Sequence, residues 1–430
     1  MSASPYESSL YARSRRAYIV QCALEYCISL LVGDAYLSKL LTAAGLNDMQ
    51  IGVVASLSTA AFLLQLFSLL FVGRIRRIKK CVLLFLTLNQ LLLISLYFIP
   101  FLPWGREIKM PLVVCCMMLA YFCSYSIAAP RNKWAHSFVN PQKRGVFCAN
   151  QEMFSLAVGM VFSLAMGFTM DRLEAAGNLR GAFLLNAGIG FLLCVGNFVC
   201  LLRVGGSIRE ETPAPPAPSW REIIKNTLGR KQFRAIVVMS VLFSCAQYLT
   251  WGFLGTYKIK DLMFSVGTVQ LINIAASLCR LAVSRPLGRY ADKTSYAQGI
   301  ELALYLAAAA FLLNTFAAPG TRVFLVLFSV LYAVSQAGTN QNMTNILYSF
   351  VPLDYFVYAS VLKASIGGVC GFLASLAGSR ILAAVQAQGN QFLGVPLYGQ
   401  QLLSLLSCLL MCAAALFTRR ALSRQQPLGR

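Results

Sequence analysis

Tyr18, Gln21, Glu25 and Ser29 succeed one another at helical spacing, so one helix face carries a phenol, an amide, a carboxylate and a hydroxyl. The stretch that holds them, Ala17–Leu41, is otherwise mostly apolar. A carboxylate in such surroundings costs several kcal/mol unless it is protonated, paired or turned to a hydrated space. Glu25 is therefore a candidate for taking up and releasing a proton, and Gln21 a candidate ligand beside it. The plainer alternative is a structural pair. Asp34 lies about two turns further on and is a second proton-coupling candidate, or simply a hydrated residue.

Three other apolar stretches repeat the pattern without acids. Ser240, Ser244, Gln247 and Trp251 share a face, with Tyr248 beside it; Tyr121, Ser124 and Tyr125 cluster; Tyr332, Gln336 and Asn340 recur every four residues. Aromatic faces with amide donors and acceptors suit a neutral hydroxylated solute, sugar-like in its chemistry. The candidate solute ligands are Gln21, Glu25, Tyr121, Tyr125, Gln247, Tyr248, Trp251, Tyr332, Gln336 and Asn340. The competing use of such groups is interhelical hydrogen bonding. Arg280 and Glu301 lie at similar depth in adjacent antiparallel stretches, which predicts a buried charge pair. Lys363 lies about two turns inside its stretch, where it either snorkels to the interface or meets an anion.

The elements that position these residues are twelve apolar stretches of helix length, the first at Ala17–Leu41 and the last at Pro396–Thr418. Each is about the 20 residues that a bilayer core requires, and only a helix satisfies its own backbone there. The chain of 430 residues is 58% hydrophobic, with a mean hydropathy of +0.65. Its net charge of +22 does not indicate nucleic-acid binding, because the basic residues fall at the ends of the stretches. About 26 of them lie in the set of alternate loops that includes both termini, and about 9 in the other set. This asymmetry predicts cytoplasmic termini and an even number of spans in a cell (inner) membrane. The polar start, Met1–Arg16, and the length of the first span argue against a cleaved signal. The 14 cysteines form no CxxC pair and read as packing residues. The lone His136 excludes a multi-histidine metal site, and no cofactor is expected.

A Pro-rich segment, Thr212–Pro218, lies in a cytoplasmic linker over 204–233, with a surface helix predicted at Trp220–Leu228. The predicted order is a tail over 1–16, six spans over 17–203, the linker, six spans over 234–420 and a tail over 421–430. Gly73–Lys80 after the second span and Gly288–Ser295 after the eighth are 215 residues apart. Val139-Asn-Pro141 and Phe350-Val-Pro352 repeat at nearly the same offset. These landmarks point to a duplicated six-helix unit.

Twelve spans in two halves, a central linker and the sequence Gly288-Arg289-Tyr290-Ala291-Asp292-Lys293 resemble the major facilitator superfamily, whose loop motif joins a glycine, an aspartate and basic residues. The first-half copy departs from it, with Arg77 where the aspartate would stand. The resemblance covers about residues 15–420. It implies an all-α membrane fold of two pseudo-symmetric six-helix bundles and alternating access. It also implies that spans one, four, seven and ten line the path, and that Gly73, Arg77, Arg144, Gly288, Arg289 and Asp292 form a cytoplasmic gate. The sequence departs from drug–proton antiporters in lacking a proline in span five. It departs from many proton-coupled members in having no arginine in span four before Arg131.

The function expected is secondary transport of a small polar organic solute, coupled to a proton or other cation, by a monomer in the lipid bilayer, with no nucleic-acid partner. An exporter of amphipathic compounds is the alternative within this fold. A membrane-embedded transferase resting on His136, or a non-transporting receptor, is the alternative outside it.

Overall fold

The computed structural model describes residues 9–71, 77–139, 144–205, 219–352, 355–392 and 395–422. The described chain is almost wholly helical; a two-residue hairpin pairing Gln391–Phe392 (β1) with Val395–Pro396 (β2) is the exception. Eleven helices among the described residues are long and apolar enough to cross a bilayer, and a bent pair brings the count to twelve. This is a multi-pass membrane protein.

The bent pair is the first span. It is α1 (Ser9–Leu31) followed by α2 (Asp34–Ala43), turned by 45° at Val32–Gly33. The sequence read as one unbroken stretch, because Val32 and Gly33 do not interrupt its hydropathy. The break is set by backbone: Asp34 opens α2 in the left-handed region, at φ 45°. The second span runs through α3 (Asp48–Ala60), a 3₁₀ turn and α4 (Gln65–Phe71). A capping box, in which Asn47 accepts from the Gln50 N–H and Gln50 returns the bond, starts α3.

Next come α5 (Ile78–Ser95), α6 (Arg106–Ser126), α7 (Ala128–Ser137), α8 (Arg144–Ala175) and α9 (Leu179–Arg203). The fourth span outruns its prediction. Met110–Pro130 was expected to end at the proline, but α7 continues to Ser137. Pro130 stands in the first turn of α7, where a helix does not need its missing N–H.

A short helix, α10 (Trp220–Asn226), precedes α11 (Lys231–Thr256), which ends in a π turn over Tyr257–Asp261. The Pro-rich segment lies outside the described residues. The remaining spans are α12 (Val266–Lys293), α13 (Tyr296–Thr315), α14 (Val323–Phe350), α15 (Phe356–Ala387) and α16 (Gly399–Ala421).

By contact density the chain forms two compact units. The first holds 1–46, 64–217 and 265–270; the second holds 47–63, 218–264 and 271–430. The first is cemented around Tyr18, Trp134, Phe138 and Phe147. The second has a core in which α13 packs between α14 and α16, with Phe311, Phe328 and Tyr332 in mutual ring contact. Within it α3 closes on α11 and α15 through glycines. A methyl on Gly52 would collide with the buried Phe253 ring, and one on Gly252 would stand 2.7 Å from the Gly52 carbonyl. Small residues let helices approach where lipid provides no hydrophobic drive.

Candidate functional site

The first unit holds a charge cluster beside α1. Arg131 of α7 reaches Glu25 with two hydrogen bonds, Nη1 to Oε1 at 2.8 Å and Nη2 to Oε2 at 2.5 Å. Gln21, fully buried, donates its amide to Glu25 Oε2 at 2.8 Å, and its carbonyl oxygen lies 3.4 Å from Arg131 Nη2. The guanidinium sits 5.9 Å from the Tyr18 ring centre, and Tyr18 is edge-on to Trp134. Asn197 of α9 donates to the Gln21 backbone carbonyl, which fixes α1 at this level. The ion pair is two-pronged, the strongest form available to an arginine and a carboxylate. It is not sealed: 15% of the Arg131 side chain and 24% of that of Glu25 stay exposed. Arg131 Nε is buried with no acceptor among the described residues.

The sequence placed Glu25 and Gln21 on one face, and they are together. It did not place Arg131, which read as a loop residue just past the apolar stretch. Hydropathy ends a span at the first charge, whereas this charge is carried inside by its partner. The available signal was the helical spacing of Tyr121, Tyr125 and Ala128 continuing through Pro130. Tyr121 and Tyr125 themselves lie against one another on α6, ring centres 6.2 Å apart. Asp34 is exposed at the start of α2, away from this cluster.

The second unit carries the aromatic and amide groups. Trp251 of α11 leans on Tyr332 of α14 with ring centres 5.6 Å apart, and nearly half of Trp251 is exposed. The Tyr332 hydroxyl and the Gln336 amide nitrogen are buried with no hydrogen bond of normal geometry. Gln247 and Tyr248 are half-buried on α11, and Asn340 is exposed on α14. Tyr248 also closes on Gly371 of α15, which leaves no room for a methyl there.

Among the gate residues, Gly73 lies outside the described residues, as does the side chain of Arg144. Arg77 is exposed just before α5. Gly288, Arg289 and Asp292 were expected in a loop, but α12 continues through them to Lys293. The apolar stretch stops where the bilayer stops, and the helix does not. Asp292 and Arg289 are exposed there. Glu301 of α13 lies 3.9 Å from Arg419 of α16; Arg280 is half-buried on α12.

Two clusters were not foreseen. In the second unit Asp48, at the start of α3, pairs with Lys260 at 2.5 Å and accepts from Gln386 at 3.2 Å. In the first, Asp171 of α8 accepts from the Val266 and Gly267 backbone N–H groups at 2.9 and 2.7 Å. It so caps the start of α12, where the helix offers unpaired donors.

The family profile of the Major Facilitator Superfamily matches residues 17–378. The chain belongs to that superfamily. Its solved neighbours include an auto-inhibited peptide transporter of the POT family, with a TM-score of 0.74, 12% identity, and 97% of this chain and 98% of that one covered. A mutant of the nucleoside transporter NupG gives 0.71 at 14% identity, over 95% and 100% of the two chains. A bacterial homologue of the human lysosomal transporter Spinster, inward-facing and unoccupied, gives 0.68 at 13% identity, over 98% of each. At these identities the likeness is one of fold. No curated protein matches the chain. Membership makes this facilitator a secondary transporter of a small-molecule substrate rather than an enzyme, and the alternative of a transferase resting on His136 is set aside.

Proposed function

We propose that this facilitator moves a small polar organic solute with sugar-like hydroxyl groups across the cell membrane, coupled to a proton that binds Glu25. The termini and the linker face the cytoplasm, and the chain acts as a monomer. The observation that carries the reading is the two-pronged Glu25–Arg131 pair with Gln21 bridging it. In the unprotonated state the two charges neutralise one another, which is the inexpensive arrangement in a membrane. A proton on Glu25 removes the ionic attraction and turns one acceptor oxygen into a donor. Arg131, with Nε already unpaired, then needs acceptors, and solute oxygens provide them. Proton and solute binding are so linked through one guanidinium. Within the second unit, the Trp251–Tyr332 pair and the open Tyr332 and Gln336 groups offer stacking and hydrogen bonds of the kind a hydroxylated solute uses. The exposed end of α12 with Arg289 and Asp292 serves as part of the cytoplasmic gate, and Arg280 with Glu301 as a charge pair.

The test is transport by protein reconstituted in vesicles with an imposed pH gradient. Glu25→Gln should lose gradient-driven accumulation and keep exchange of solute. Gradient-driven uptake of wild-type size in the variant removes Glu25 as the proton site. A reporter fused after Arg430 that is active only outside the cell overturns the orientation.

A further inference from the structure

Lys363 of α15 is a charged group that the scheme above leaves unused. It stands about two turns, or roughly 10 Å, from the start of α15. Its ammonium donates to one acceptor, the Met343 carbonyl of α14, at 3.4 Å. That oxygen lies in the interior of α14, where the helix ladder already uses it. An ammonium has three donors, so Lys363 holds one long, shared bond and no carboxylate among the described residues. In the second unit Asp48 is matched to Lys260, and Glu301 to Arg419 and, on the reading above, to Arg280 as well. An unmatched cation at membrane depth is costly to retain and marks a ligand path by default.

Its surroundings are polar on two further helices. Tyr332, Gln336, Asn340 and Met343 descend one face of α14, and Lys363 meets that face at Met343. One turn along α15, Gly367 lacks the side chain that would press on Ser244 and Ser240 of α11; a methyl there would lie 3.0 Å from the Ser244 hydroxyl. Lys363 thus continues the face already assigned to the solute, towards the end of α14 at Phe350. Snorkelling does not account for it, since the ammonium is held by a carbonyl inside the span.

We propose that Lys363 binds an anionic oxygen group, a carboxylate or phosphate, on the transported solute. The inference rests on the reading of a polar organic solute and narrows it: the hydroxylated part lies against Gln336 and Asn340, and the anionic end against Lys363.

The test uses full-length protein in a neutral detergent. Glucose 6-phosphate and succinate are the anionic probes; glucose and uridine are the neutral ones. Reductive methylation with formaldehyde and borohydride, read by mass spectrometry, reports whether each probe shields Lys363 in the unaltered protein. Melting temperatures are measured in parallel for the wild type, Lys363→Gln and Lys363→Arg. The expected result is that at least one anionic probe slows Lys363 methylation several-fold and raises the melting temperature, since a ligand that binds only the folded state stabilises it. The rise should vanish in Lys363→Gln and survive in part in Lys363→Arg. If only glucose or uridine stabilises, and equally in Lys363→Gln, the solute reading stands and the anion site falls. If neither anion shields Lys363, or if added phosphatidylglycerol alone does so, the proposal is overturned.

Discussion

The two units handle buried charge in opposite ways. The first closes a charge pair onto itself: Glu25 and Gln21 engage both terminal nitrogens of Arg131, with Tyr18 against the guanidinium, and Nε is the guanidinium nitrogen left without an acceptor among the described residues. The second keeps α11, α14 and α15 free of acids and leaves open groups, the Tyr332 hydroxyl, the Gln336 amide and the Lys363 ammonium. A closed network resists change until a proton or ligand opens it. An open one waits for a partner of the right chemistry, because each unpaired group raises the energy of the empty state. In the function proposed above, this contrast divides the labour between a region that senses and a region that recognises.

The sharpest way to break the comparison is Arg131→Met. It strands Glu25, and loss of one partner of a buried pair costs about 3–5 kcal/mol. Transport should fall below detection and the melting temperature should drop. Adding Glu25→Gln to the same chain should restore much of the melting temperature and none of the transport. Additive losses in the double variant would show that the two residues are not coupled. Next in size is Glu25→Gln alone. It should abolish uptake driven by a pH gradient and spare solute exchange, with a smaller fall in stability because the amide still accepts one hydrogen bond from Arg131.

On the recognising side the effects should be graded. Trp251→Ala removes one half of a ring pair worth about 0.5–1.5 kcal/mol beyond its buried area. Apparent affinity for the solute should weaken several-fold, up to about tenfold, with maximal rate preserved. Equilibrium binding by calorimetry would check this, and an unchanged dissociation constant would separate the ring pair from the solute. Asp292→Asn should slow cycling about two- to fivefold at normal membrane expression, measured as turnover in vesicles; this follows from attraction between exposed charges, which is modest. The smallest effect is expected from Arg419→Gln. Arg419 is 69% exposed and 3.9 Å from Glu301, so its loss should move stability by less than about 0.5 kcal/mol.

Much of the architecture was legible because lipid imposes it. Twelve stretches had to be helices, and the faces holding Gln21 with Glu25, and Tyr332 with Gln336, followed from helical spacing alone. Hydropathy misplaced the points where chemistry overrides it. Arg131 read as a loop cation, since nothing in the local sequence shows that a carboxylate 106 positions earlier will neutralise it. Gly288–Lys293 read as a loop because polarity and helix end were taken to coincide, and α12 carries the helix past the apolar stretch. The bend at Gly33 and the Asp171 cap on α12 depend on backbone geometry and on partners far away in the chain, which periodicity does not register.

The meeting of Gly52 with Phe253 has a hereditary side. Every codon one base away from a glycine codon, apart from the synonymous ones, specifies a larger residue or a stop. At most surface positions such errors pass unnoticed. Gly52 has no such latitude, because the Phe253 ring above it is fully enclosed and has nowhere to swing. A population carrying this gene should show silent changes at codon 52 and almost no others, a blank in the record of variation that marks where two helices touch.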